Sequence, residues 1–292
     1  MPDKPLPLYN IQDFDKVVSP KRPDFYLNRF EKHLREHAFI QTPHKHDFFI
    51  ILLITQGTGT HTIDFKTYPV APQTVFFLSP GQVHAWQLSD DSAGYILFFN
   101  LDFFRAQSDQ QELYRFPFYN VLLNKPLLLL SYQQILPVVK ILESMEQEHL
   151  QTRFRWQDVV RSYLTILLIQ LQRVFQEQQP KADTELNSHS LWQELDSLIE
   201  QHFKQHQPIS FYAEKLNITD KQLNEACKST FGKTTSNLIQ DRIILEARRL
   251  LIHSKLTITQ IAAELGYFDN SYFSRFFKKH TGQTPEQFRL TT

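Results

Sequence analysis

The last third of the chain is written twice. LNEACKSTFG (223–232) aligns with FSRFFKKHTG (273–282) at an offset of 50, and ISFYAEKLNI (209–218) aligns with ITQIAAELGY (258–267) at an offset of 49. Both copies end on a glycine suited to a helix C-cap. Each copy has a short helix carrying Ala213 or Ala262 and Leu216 or Leu265, a tight turn at Asn217 or Gly266, and then a longer helix. Asn and Gly are the residue types that best tolerate a left-handed backbone. The small alanine lets the second helix cross close above the first. The pattern predicts two helix-turn-helix units, each able to place its second helix in a major groove. Between them, TTSNLIQDRIILEARRLLIHS predicts a connecting helix of about 18 residues, roughly 27 Å long. Such a connector can hold two recognition helices about one DNA turn apart, ~34 Å, which a flexible linker could not do.

The second copy shows what the longer helix presents. In NSYFSRFFKKH (270–280), Phe273, Phe276, Phe277 and His280 fall on one side at the spacing of a buried stripe. Ser271, Arg275 and Lys278 lie opposite, with Tyr272, Ser274 and Lys279 on the flanks. Taken alone, such a face is most simply a solvated one. Asp269 or Asn270 is expected to cap the helix. In the first copy the outward face carries Lys221, Gln222, Glu225 and Lys228, and Cys227 beside Leu223 is expected to be a small buried hydrophobe.

At 292 residues the chain is long enough for about two domains. A single cysteine rules out a disulfide framework and a thiolate metal cluster. The opening residues, MPDKPLPLYNIQDFDK, carry acids and prolines without a central apolar run, and the longest apolar runs are too short to span a membrane. The expectation is a cytosolic protein with no membrane partner. Formal net charge is zero, whereas nucleic-acid binders tend to a basic excess. The local balance shifts at 270–292, where Arg275, Lys278, Lys279 and Arg289 face only Glu286.

Upstream the patterning changes. FFIILLITQG, GTHTIDF, TVFFLSPGQ and AGYILFFN read as strands and QGTG and SPGQ as turns, as a small barrel or sandwich needs; 26–37 is the one short helical exception. Ile135, Val138, Val139, Leu142 and Met145 mark one amphipathic helix, and Val160, Tyr163, Leu164, Leu167, Leu171 and Val174 a second. TILLIQL within it is apolar on more than one face, which suggests packing on the barrel and on a second copy of the chain. EQQPKADTELNSHS (177–190) has no period and reads as a linker. The expected division is a barrel with an N-terminal arm at 1–131, a helical dimerisation segment at 132–176, a linker at 177–190 and a DNA-binding domain at 191–292.

The stretch IAAELGYFDNSYFSRFFKKHTGQTPEQFR (261–289) closely resembles the signature of AraC/XylS-type transcription regulators. Its Ile-Ala helix, Gly-aromatic turn, Ser-x-Phe-x-Arg-x-Phe-Lys, Gly-x-Thr-Pro and Phe-Arg stand in order, and the resemblance extends over 190–292. It implies base or phosphate contacts at Asn270, Ser271, Tyr272 and Arg275. The arginine fork suits guanine O6 and N7, and Lys278 and Lys279 suit phosphates. Lys221, Gln222 and Lys228 are the first-copy candidates. Glu225, one repeat before Arg275, departs from the basic or polar reader common in the family; a carboxylate repels phosphate, although it can accept from cytosine N4.

TPHKHDFFIILLITQGTG (42–59) and SPGQVHAW (79–86) resemble the two cupin motifs. His44, His46 and His84 match imidazole ligand positions, but FFIIL occupies the place of the expected carboxylate. Three imidazoles can bind zinc, so a metal-dependent cupin enzyme with a helical appendage is the rival reading. The family resemblance implies instead a barrel used without metal or other cofactor, with His44, His46, His84 and Trp86 lining a pocket for a small organic effector. A barrel that only dimerises is a third alternative. The expectation is therefore an α+β multidomain, non-enzymatic transcription regulator: a cupin-like β-barrel with a helical dimerisation segment, then an all-α domain with two helix-turn-helix motifs. Its expected partners are double-stranded DNA, a small-molecule effector and a second copy of itself, with RNA polymerase a further candidate.

Overall fold

The run FFIILLI at 48–54 is apolar at every position, so a strand made from it must be covered on both faces. The computed structural model of the chain shows how. It describes residues 7–14, 24–37, 40, 42–105, 113, 116–119, 126–178 and 186–291. The chain divides into two units, Pro7–Thr184 and Glu185–Thr292.

The first unit contains, in order, β1 (Leu8–Tyr9), β2 (Phe25–Arg29), α1 (Phe30–Glu36), β3 (Lys45–His46), β4 (Phe49–Gln56), β5 (Gly59–Ile63), β6 (Lys66–Val70), β7 (Thr74–Leu78), β8 (His84–Leu88), β9 (Ala93–Phe99), α2 (Leu101–Arg105), β10 (Leu127–Leu129), α3 (Tyr132–Gln151) and α4 (Trp156–Glu177). A five-stranded antiparallel sheet runs β10-β7-β4-β9-β2, and a three-stranded one runs β6-β5-β8. Successive residues of β4 serve two cores. Ile50, Leu52 and Ile54 join Phe76, Leu78, Ile96, Phe98 and Trp86 in the barrel interior. Phe49, Ile51 and Leu53 join Val75, Phe77, Leu97 and Phe99 on the outer face, under Leu142 and Met145 of α3 and Leu164, Leu167 and Leu171 of α4. Arg29 of β2 ties the sheet to α3 through Glu146 at 3.0 Å and lies over the Tyr95 ring at 4.2 Å.

One expectation is corrected, and two strands appear that the sequence patterning did not mark. The segment 26–37 is not one helix, because Phe25–Arg29 pairs with β9 before α1 begins at Phe30. KTYPV at 66–70 is a strand despite Pro69, since β6 is an edge and its proline leaves no central ladder bond unmade. HAWQL at 84–88, just after the SPGQ turn, is strand β8.

The second unit is helical: α5 (Leu186–His202), α6 (Ile209–Lys215), α7 (Asp220–Phe231), α8 (Thr235–His253), α9 (Ile258–Glu264), α10 (Asn270–Thr281) and α11 (Pro285–Thr291). Of the expected linker, 186–190 belong to α5 and 177–178 to the end of α4, while 179–185 lie outside the described residues. The buried guanidinium of Arg242 on α8 pairs with Glu200 of α5 and, at 2.9 Å, with Glu246, while stacking 4.2 Å from the Phe203 ring. The turn after α9 approaches residues 204–206 closely. A Cβ on Gly266 would stand 1.9 Å from the Lys204 carbonyl oxygen, and Gly266 has φ +79°. Beside it Lys204 pairs with Glu264 at 2.6 Å, and His206 Nε2 donates to the Leu265 carbonyl at 2.9 Å.

Gly266→Ala combines left-handed strain with that clash. It should destabilise the C-terminal unit by more than about 1 kcal/mol. Denaturant unfolding of the full chain checks this, and an unchanged C-terminal transition would refute the close packing described.

Candidate nucleic-acid interface and buried histidine cluster

The two helix-turn-helix units are built alike. Ala213 and Ala262 are buried under the crossing helix, and the turn residues Asn217 and Gly266 both have positive φ, 54° and 79°. Thr219 caps α7 by accepting from the Gln222 amide at 3.2 Å, and Gln222 Oε1 accepts in return from the Thr219 amide at 2.9 Å. Asp269, of the two candidates, caps α10, accepting from the Ser271 amide at 2.7 Å. Both helices end at left-handed glycines, Gly232 and Gly282. Leu223 and Cys227 seat α7, and Phe273 and Phe277 seat α10. Phe276 is only half-buried, against Tyr267 at 5.5 Å and His280 at 4.4 Å.

This seating turns the polar faces outward. Ser271, Tyr272, Arg275, Lys278 and Lys279 are exposed on α10, and Lys221, Gln222, Glu225 and Lys228 on α7. Two expected contacts come out altered. Asn270 is half-buried and its Oδ1 is shielded from solvent without a hydrogen-bond partner, so it is not displayed as its neighbours are. Gln222 uses its amide oxygen in the cap, which leaves only its NH2 group to offer a ligand. Glu225 sits 4.0 Å from Lys221 Nζ, both well exposed, a spacing worth at most a few tenths of a kcal/mol. Phe268, between the turn and the α10 cap, is fully exposed and carried no signal in the periodicity.

The barrel brings His44, His46, His84 and Trp86 together and adds His61, which sequence reasoning missed because it lies in no motif. His84 is central: its ring centroid is 4.3 Å from His44, 5.1 Å from His46, 5.2 Å from His61 and 5.1 Å from Trp86. The strand register explains the grouping, since β5 sets His61 opposite Trp86 and a bridge sets His44 opposite His84. His44 Nδ1 donates to the Thr42 carbonyl at 2.9 Å and His46 Nδ1 to the Phe48 carbonyl at 2.7 Å. His61 Nε2 and His84 Nδ1 share a bond of 3.0 Å.

His46 Nε2, His61 Nδ1, His84 Nε2 and Trp86 Nε1 are then buried without a hydrogen-bond partner. Burial keeps the imidazoles neutral. It pushes His46 and His61 down to about 3 and His84 well below its ordinary value. Among the described residues no three His, Cys, Asp or Glu side chains are grouped to hold a metal ion.

The model of the AraC-like ligand binding domain matches residues 24–153, and that of a helix-turn-helix domain matches 212–291. The HTH-type transcriptional activator RhaR of Cronobacter sakazakii is 24% identical over 284 residues, covering 94% of each chain. The activator RhaS of Escherichia coli is 23% identical over 253 residues, covering 84% of this chain and 86% of its own. Fatty-acid-bound ToxT of Vibrio cholerae is 18% identical, with a TM-score of 0.40 over 93% of this chain and 97% of its own.

The histidine cluster predicts a pH dependence. These folded-state values lie below the unfolded imidazole value of about 6.5, so the native state binds fewer protons between the two. Stability is full above about pH 6.5 and is lost as pH falls toward 3, by about 1.4 kcal/mol per pH unit for each imidazole kept neutral. Denaturant unfolding of the N-terminal unit between about pH 7.5 and 5 should show this decline. A flat profile would mean the cluster is solvated.

Proposed function

Since the chain belongs to the AraC-type transcription regulators, we propose that its effector-binding barrel controls how paired helix-turn-helix units sit on two DNA half-sites. The observation that carries the DNA-binding half is the duplicated recognition helix, capped, seated on its own buried stripe and showing a polar, partly basic face. Ser271, Tyr272 and Arg275 are assigned to bases and nearby phosphates, and Lys278, Lys279, Lys221 and Lys228 to phosphates. Asn270 and Gln222 are assigned supporting contacts, in keeping with their partial engagement. The curated relatives are transcriptional activators, which supports contact with RNA polymerase and a cytoplasmic location.

The effector half rests on the unpartnered nitrogens of the barrel. Buried polar atoms are nearly always hydrogen-bonded, so a cluster of four calls for a guest. His46 Nε2 can only accept, because Nδ1 carries the proton given to Phe48, and Trp86 Nε1 can only donate. Between them, His61 and His84 leave one donor and one acceptor, whichever shares its proton. The site therefore suits an uncharged molecule that both donates and accepts. This favours sensing over a barrel that only dimerises. The metal-dependent enzyme reading is less favoured, because the curated relatives are transcriptional activators.

The remaining assignments follow the division 1–131, 132–176, 177–190 and 191–292, with the linker shortened by the start of α5 at Leu186. Val159, Ile166 and Ile169 form an exposed apolar stripe on α4, which supports homodimerisation through that helix. A ligand shifts the assembly only by binding its states unequally.

The test is a salt titration of binding to the DNA upstream of the protein's own gene, with random DNA as control. Tighter binding to the upstream DNA, weakening steeply with salt, is expected. Arg275→Ala should then weaken specific binding by ~1–3 kcal/mol without changing the melt. Wild-type affinity in that folded variant would mean that α10 docks some other way.

A further inference from the structure

The two copies differ by one residue, and the structure locates it. Up to the turn they run in step: the Ile218 amide donates to the Ala213 carbonyl at 3.0 Å, and the Tyr267 amide to the Ala262 carbonyl at 2.9 Å. Each follows its left-handed residue, Asn217 or Gly266. Ile218 and Tyr267 are thus equivalent. In the first copy the next residue, Thr219, already caps α7, whereas in the second the cap Asp269 comes one residue later. The added residue is Phe268.

An apolar side chain just before a helix cap ordinarily folds back onto the fourth residue of the helix, which in α10 is Phe273. Phe268 does not. Its relative exposure is 108%, and Phe273 is packed instead by Tyr267, centroid to centroid at 5.4 Å. The insertion therefore releases a phenyl ring from the core. It stands beside the first residues of α10, the end of a recognition helix that meets base edges. A phenyl ring offers nothing to phosphates or to base-edge donors and acceptors. The apolar group that the major groove displays is the thymine C5-methyl.

We propose that Phe268 is a specificity-determining residue that reads a thymine methyl group in the half-site bound by the second helix-turn-helix unit. The assignment rests on the DNA-binding reading above. The first unit has no counterpart, because Ile218 is half-buried where the chain passes straight into its cap.

The experiment begins with the full-length protein selecting a duplex from a random-sequence pool. Failure to enrich any sequence would remove the DNA-binding reading itself, an outcome distinct from those that follow. With a selected duplex, each thymine is replaced singly by deoxyuridine, which deletes only the methyl group. At one position wild-type affinity should fall about fourfold, the worth of one buried methyl group. Phe268→Ala should lose the same factor on the thymine duplex and be indifferent to deoxyuridine there, while Phe268→Leu should retain part of the discrimination. Full exposure of the side chain means the variants should melt as the wild type does. The proposal is overturned if Phe268→Ala binds every duplex as the wild type does. It is equally overturned if its loss is accompanied by undiminished deoxyuridine sensitivity, as a wedge between base steps or a purely structural role would give.

Discussion

Helix α8 belongs to both helix-turn-helix units at once, and their mutual geometry depends on it. At its start, Thr235 Oγ1 donates to Cys227 Sγ at 3.4 Å, and Asn224 Oδ1 accepts from the Thr235 amide at 3.2 Å, which anchors α7. At its end, Arg289 of α11 donates to the carbonyls of Leu251 and Leu256 at 2.9 and 2.8 Å. Between these ends Leu238, Ile243, Ile244, Ala247 and Leu251 are buried, and Arg242 is sealed against Glu200 and Glu246. Removing one partner from a buried pair leaves an uncompensated charge, so this network disfavours any other seating of α8. The close backbone approach at Gly266 adds a tie between the turn of the second helix-turn-helix unit and the segment that leads into α6. A rigid pair of recognition helices can be presented to half-sites of one spacing, which a flexible joint could not do.

The barrel faces a different constraint. Its large sheet is apolar on both sides, because one face closes the interior and the other carries α3 and α4. Four imidazoles and an indole are nevertheless held inside, neutral and only partly hydrogen-bonded. A cluster of this kind costs stability unless something else satisfies it. That cost supports the effector site proposed there, and the cluster's lack of charge narrows what such a site could receive.

Much of this was legible beforehand. The recognition-helix face followed from the spacing of Phe273 and Phe277, because a period of 3.6 fixes which residues lie opposite a buried stripe. The turn and cap glycines followed from backbone sterics. Other features were not legible, for definable reasons. His61 belongs to no motif and joins the cluster only through strand pairing with β8. β6 hides behind Pro69, which an edge position tolerates. Gln222 and Asn270 looked like free readers, but one is spent on a helix cap and the other is half-buried.

The sequence by itself determined the duplication, the helix periods and the family, because all three are written in residue types at fixed local intervals. It also held the shift of offset from 49 to 50, but not its meaning. Only the tertiary structure decided that the added residue is Phe268 and that its ring is left outside the core, since that depends on Tyr267 having taken the place against Phe273. The same holds for the histidine cluster. Residues distant along the chain became neighbours through sheet register, and burial, which no local pattern records, set their charge.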